Sequence, residues 1–127
     1  GTGGIIMYAN RARQRLSENH LEESIFHESV HASWDAKYED SPDWLKAQEN
    51  DGRFVTQYAL DGEEGEGEDL AETALFAYSV LHFPGRIFPA DTEDILAAVP
   101  NRIKFIETLL PPGEPIFFEA TGEVVCE

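Results

Sequence analysis

A helix that is apolar on nearly every side limits the folds open to this chain. Between residues 70 and 81, apolar side chains occupy almost the whole circumference of a helical wheel, and Pro84 with Gly85 stops the pattern. A helix of this kind has no face suited to water, so other elements must cover it. The sequence therefore predicts a buried central helix that begins near Glu68.

A second long helix is predicted over residues 21–38, where neither proline nor glycine interrupts the pattern. Two apolar stripes run along it, and His27 and His31 lie between them. We therefore expect this helix to be covered on two sides.

Proline, glycine and N-cap residues predict the remaining elements. Helices are expected from Pro42, capped by Ser41, to Asp51 and Gly52; from about Asp91 or Thr92; and from Pro100 to Pro111. Strands are expected at residues 4–8 and 116–118, residues 54–58 are predicted to be extended or turn-like, and the acidic residues 61–67 are predicted to form a mobile surface loop. Together these elements indicate an α+β fold that is mostly α, with a reduced β-sheet.

Length and charge restrict the function classes. The chain has 127 residues, 42% of them hydrophobic, which predicts one domain over residues 1–127. Its net charge of −16 repels phosphate backbones and anionic membranes, so nucleic acid is not an expected partner. No apolar run reaches the roughly 18 to 20 residues of a membrane span.

The start of the chain and its cysteine content add two further expectations. Because the chain starts Gly-Thr-Gly-Gly, we expect a processed form or an excised domain. The single cysteine, Cys126, has no internal disulfide partner.

Residues 27–31 read H-E-S-V-H, which matches the H-E-x-x-H pattern of zinc hydrolases. Histidines at i and i+4 project from one helix face about 6 Å apart, so both imidazoles can reach one ion, with Glu28 beside it. The alternative is a pair of exposed histidines stacked on a helix. Their place between two apolar stripes argues against that alternative, because unpaired imidazoles would be poorly satisfied there.

A catalytic zinc ion needs a third protein ligand and an open position for water. The position at which metzincins carry a third histidine is Lys37, and no cysteine precedes the motif. His20 and His82 remain candidates, but carboxylates are the better source. Glu68 and Glu72 stand at i and i+4 at the start of the apolar helix; if Glu68 binds zinc, Glu72 can hydrogen-bond a ligand histidine. Glu68 has a simpler reading, as a first-turn acid that faces solvent.

Four segments in this order resemble the gluzincins, and within them the family of the anthrax lethal factor catalytic domain. They are residues 26–31, Tyr58 with Ala59, residues 68–72 and residues 101–106. The resemblance covers residues 26 to about 110 and implies a zincin-like metallopeptidase domain.

The resemblance also implies roles for individual residues. His27, His31 and Glu68 would bind zinc, Glu28 would be the general base, Glu72 would support a ligand histidine, and Tyr58 would stabilise the oxyanion. The segment between Tyr58 and Glu68 is longer here than in that family, so Tyr78 and His82 remain alternatives to Tyr58.

These features predict a zinc-dependent metalloendopeptidase in which zinc activates a water molecule and Glu28 takes its proton. Residues 4–8 are the candidate edge strand for an extended substrate. Two alternatives are an inactive zinc-binding module that docks a protein partner, and an effector or toxin peptidase restricted to one protein target. A calcium site in the acidic loop fails the EF-hand spacing. We expect a peptide or protein substrate, a monomer, and secretion or another extracytoplasmic location.

Overall fold

The structure is a computed structural model that describes residues 4–62 and 67–114, and all the regular secondary structure in those residues is helical. The helices are α1 (Ala9–Ser17), α2 (Leu21–Trp34), a π-helical turn (Asp35–Glu39), α3 (Pro42–Asp51), α4 (Gln57–Asp61), α5 (Glu68–His82), α6 (Pro89–Ala98) and α7 (Pro100–Leu109). The prediction of an α+β fold with a reduced sheet is therefore wrong for the described residues.

The predicted strand at residues 4–8 is extended but has no partner. Its side chains are largely open to solvent, with Ile6 80% and Tyr8 71% exposed, and the chain enters α1 at Ala9. A strand exists only where a neighbour takes up its N–H and C=O groups, and the described residues supply no such neighbour. The predicted edge strand for substrate is thus absent, and the predicted strand at residues 116–118 lies outside the described residues.

Residues 54–58 are only partly extended, because the chain turns into α4 there. The Thr56 hydroxyl accepts a hydrogen bond from the Ala59 backbone N–H (3.0 Å) and so caps α4 at its N-terminus. Tyr58 consequently stands on a short helix. Of the predicted acidic loop, Asp61 ends α4, and residues 63–66 lie outside the described residues.

The central element is α5, as the sequence predicted. It packs against α2, α4 and α7, while α3 and α6 contact α7 and α1 contacts α2. Leu70, Ala71, Ala74 and Ala77 of α5 are all at most 1% exposed. Small side chains let the neighbouring helices approach closely. As a result, the first turn of α5 lies directly against α2.

Local signals fix the helix ends. Ser41 caps α3 by accepting a hydrogen bond from the backbone N–H of Trp44, Pro42 is the first helical residue, and Gly52 ends the helix with φ of +64°. These predictions are confirmed, as is the start of α7 at Pro100. By contrast, α6 begins at Pro89, two to three residues earlier than predicted, because this proline also stands at a first helical position.

A buried ionic network holds the first turn of α5 in place. The Arg102 guanidinium donates through Nε to Asp69 (2.7 Å) and through Nη1 to the Arg53 carbonyl (2.7 Å) and Asp51 (3.4 Å). Gln48 donates to the same Asp69 oxygen (2.8 Å). Burial raises the pKa of Asp69 above its ordinary 3.8, although these hydrogen bonds oppose the change. The network joins α3, α5 and α7 and fixes the residue next to the predicted glutamate ligand.

Candidate metal centre

The two motif histidines lie on the face of α2 that packs against α5. Their ring centroids are 4.8 Å apart with planes at 74°, and their Nε2 atoms approach to 3.1 Å. The side chains are only 11% (His27) and 19% (His31) exposed. They are therefore not a solvent-facing pair.

Glu68 completes the group from the first turn of α5. Its Oε2 atom is 2.9 Å from Nε2 of His27 and 3.5 Å from Nε2 of His31, and the residue is 7% exposed. The reading of Glu68 as a solvent-facing acid is wrong. The group His27, His31 and Glu68 can hold a metal ion.

The donor triangle has a size suited to zinc. Its three edges are 2.9, 3.1 and 3.5 Å. Ligand atoms about 2.0–2.1 Å from a tetrahedral ion stand roughly 3.3 Å from one another. The residues present therefore fit the ion that the sequence predicts, with two nitrogen donors and one oxygen donor.

Each imidazole is oriented by a carboxylate at its other ring nitrogen. Nδ1 of His27 is 3.3 Å from Oε1 of Glu72, whose Oε2 accepts a hydrogen bond from the Thr56 hydroxyl (3.0 Å). Nδ1 of His31 is 2.8 Å from Oδ2 of Asp35, one turn along. A carboxylate can only accept, so with the ring protons on Nδ1 toward Glu72 and Asp35 both Nε2 lone pairs are available to an ion, whereas without an ion Glu68 can accept a proton from Nε2 of His27.

The charges in the group shift two pKa values. Burial works to lower the pKa of His27, but the hydrogen bond to Glu72 and the charges of Glu68 and Glu72 outweigh it, so this pKa lies above its ordinary 6.5. The hydrogen bond to His27 holds the pKa of Glu72 below its ordinary 4.5, although burial opposes this. In the absence of an ion, a proton on His27 neutralises part of the negative charge.

Glu28 and Tyr58 border a cavity next to the histidines. The cavity has a volume of about 340 Å³, and His27 and Glu72 also line it. The Glu28 side chain is exposed and has no hydrogen-bond or ion-pair partner among the described residues. Tyr58 is 55% exposed, with its ring centroid 6.1 Å from that of His27. Both predicted catalytic residues thus lie on the open side of the centre.

The other candidates raised by the sequence lie outside this group. His20 is exposed and pairs with Glu23 (2.7 Å). His82 donates from Nε2 to the Leu110 carbonyl (3.1 Å) and packs on Tyr78, which in turn stacks on Phe26. None of the three alternative side chains is in the donor group that can hold a metal.

Sequence reasoning missed three residues that shape the centre. Asp35 stands four residues after His31, a spacing that could have identified it as a partner. Thr56 carried only a weak N-cap signal. Gly62 showed no signal in the sequence, yet a Cβ atom at this residue would overlap the side chain of Glu68.

Comparison with known proteins adds no identification. A scan against protein-family models, a search of curated proteins and a search of solved structures found no match. Within the described residues, no helix is long and apolar enough to cross a membrane. The resemblance to gluzincins therefore depends on the site residues and their arrangement alone.

Proposed function

We propose that this chain is a zinc-dependent peptidase of the gluzincin class, with His27, His31 and Glu68 as ligands and Glu28 as the general base. One observation carries the proposal: three atoms that can bind a metal, from two helices, meet at one centre and all lie within 3.5 Å of one another.

Three acceptors at this distance repel one another unless a positive charge lies between them. The side chains are 9% to 19% exposed, so water screens the repulsion only partly. A shared proton relieves the repulsion at one edge of the triangle. A divalent ion relieves all three edges at once, and two imidazoles with one carboxylate are the ligand set of His₂Glu catalytic zinc sites.

His27, His31 and Glu68 would hold the zinc ion, which would lower the pKa of a bound water molecule to about 7 and polarise the substrate carbonyl. Glu28 lies at the same cavity as His27 and has no competing partner in the described part of the chain. Its carboxylate accepts the proton of the attacking water and passes it to the leaving amine. The Tyr58 hydroxyl, which borders the same cavity, donates a hydrogen bond to the carbonyl oxygen of the substrate, which becomes negative as water adds.

A second candidate function is zinc binding without turnover, in a module that docks a protein partner. The all-helical fold favours this candidate, because the described residues offer no strand edge to hold an extended substrate. A peptidase restricted to one protein target is a narrower form of the main proposal. It predicts cleavage of that protein and little cleavage of generic peptides.

Turnover by the zinc-loaded protein separates these functions. A degenerate peptide library is incubated with wild type and with Glu28→Gln, and new N-termini are identified by mass spectrometry. We expect cleavage by wild type and a loss of at least about 10²-fold in Glu28→Gln, with zinc content unchanged. His20→Ala is the control, since His20 lies outside the centre. Equal cleavage by wild type and Glu28→Gln would refute the role of Glu28, while zinc binding without any cleavage of peptides or proteins would favour the module.

A further inference from the structure

Two cavities meet at Glu28. The first is the polar cavity described above, next to His27. The second, of about 380 Å³, lies between the extended residues 5–8, α1 and α2. Arg15, Ser24 and Glu28 line both. A peptide bound across Glu28 would therefore contact both cavities, and Arg15 would lie where the two cavities meet.

Of the three glutamates that line the first cavity, two are committed to partners. Glu23 pairs with His20, and Glu72 is bound by His27 and Thr56. Arg15 is the one arginine or lysine that lines this cavity among the described residues, its side chain is exposed, and it has no ion pair within the described part of the chain. A free guanidinium in a chain with 25 acidic and nine basic residues is available to a ligand rather than to the fold.

The second cavity is mostly apolar. Ile5, Met7, Leu21 and Ile25 contribute to its wall, and Met7 is 51% and Ile25 38% exposed. Apolar side chains that remain exposed next to a candidate catalytic carboxylate match an apolar side chain of a substrate.

We propose that Arg15 binds a carboxylate of the substrate, so that the preferred peptides carry a carboxylate next to an apolar residue. The inference rests on the proposed function, since it names the substrate class of the same site. A guanidinium presents two parallel N–H donors to a carboxylate, which gives geometric selectivity as well as charge attraction. The carboxylate comes either from an Asp or Glu side chain or from a free C-terminus.

Peptide capture on zinc-loaded Glu28→Gln protein tests Arg15 without requiring turnover. A degenerate library is passed over this protein, once with free C-terminal carboxylates and once with C-terminal amides, and retained sequences are read by mass spectrometry. We expect peptides with a carboxylate beside an apolar residue to be enriched about ten- to a hundredfold over the same peptides in which that carboxylate is replaced by an amide. Enrichment that survives C-terminal amidation assigns the carboxylate to Asp or Glu, and enrichment lost on amidation assigns it to the C-terminus.

Charge reversal provides the decisive comparison. Arg15→Glu, added to Glu28→Gln, should shift the preference from acidic peptides to peptides with Lys or Arg. The same change at Arg13, an exposed residue of α1 that lines neither cavity, should leave the preference unchanged. Zinc content and circular dichroism verify that each variant is folded.

The outcomes separate this inference from the peptidase proposal. Absence of any carboxylate-dependent enrichment, whether for Asp and Glu or for a free C-terminus, or enrichment that persists in the Arg15→Glu variant, overturns the role of Arg15. Carboxylate-dependent enrichment that is lost or reversed in the Arg15→Glu variant supports it. If that reversal occurs while wild type cleaves no peptide, the peptidase proposal fails and the carboxylate site stands.

Discussion

Removal of the Glu72 carboxylate should weaken zinc binding without removing a ligand. Glu72 reaches Nδ1 of His27 at 3.3 Å and is fixed by the Thr56 hydroxyl, so it holds the imidazole in the orientation that turns Nε2 to the centre. Its negative charge also makes that imidazole more basic, which is reflected in the raised pKa of His27. A better base is a better zinc ligand.

The contact between Glu72 and His27 determines how much zinc affinity is lost. Loss of a carboxylate that supports a metal-bound histidine costs about 10- to 100-fold in metal affinity. At 3.3 Å the contact is longer than a typical N–H···O hydrogen bond of about 2.7–3.2 Å, so the charge supplies most of its effect. Glu72→Gln keeps an acceptor but loses the charge, and we expect about a tenfold rise in the zinc Kd. Glu72→Ala also removes the acceptor that orients the His27 imidazole, and we expect the zinc Kd to rise closer to 100-fold.

The zinc Kd is measured by competition with a chromophoric chelator at constant pH and ionic strength. Glu22→Ala serves as the control, because Glu22 is an exposed carboxylate in the first turn of the same helix as His27. Its Kd should equal that of wild type. A folded Glu72→Ala protein with wild-type affinity would refute the reasoning that Glu72 supports the ligand.

Three further predictions concern the supports of the centre and its charge. Gly62→Ala should lower zinc affinity at least tenfold, because a Cβ atom at residue 62 would displace Glu68, the proposed ligand. Gly4→Ala, with open space around the residue, should leave the affinity unchanged, and equal zinc affinities of the two variants in a chelator competition would contradict this. Arg102→Leu should lower the free energy of unfolding in urea by about 3–5 kcal/mol, because two buried carboxylates, Asp51 and Asp69, lose their cation and keep only neutral donors; a loss under 1 kcal/mol would disprove it. In the metal-free protein, the raised pKa of His27 contributes stability that is fully present below pH 6.5 and is lost as the pH rises. The lowered pKa of Glu72 contributes stability that is fully present above pH 4.5 and is lost as the pH falls. Glu72→Gln should flatten both limbs in thermal melts, and an unchanged pH profile would contradict the coupling.

Helical periodicity predicted the main supports of the centre. The chelate spacing of His27 and His31 and the apolar run after Glu68 are properties of single helices, and both are visible in the sequence. An apolar helix must be covered, which led to the correct expectation of a buried α5. That the face of α2 with the histidines covers the first turn of α5 is a tertiary fact, and only the chemistry of the third ligand indicated it.

The errors arose where a short apolar run had no periodicity to interpret. Residues 5–7 are consistent with a strand, but a strand needs a partner, and the sequence does not say whether one exists. The acid at Asp35 was missed because it stands near the end of the predicted helix, where acids are usually solvated; in the structure it begins the π-helical turn. The Arg102 network joins residues up to 51 positions apart, and no local pattern reports such contacts.

The most direct measurement is X-ray absorption at the zinc edge, together with metal content, on protein purified without added zinc. We predict one zinc per chain, bound by two imidazole nitrogens and carboxylate oxygen at about 2.0–2.1 Å, and loss of the metal in Glu68→Ala. Protein that is folded but holds no zinc, or a zinc ion whose surroundings are unchanged in Glu68→Ala, would contradict the assignment of this centre.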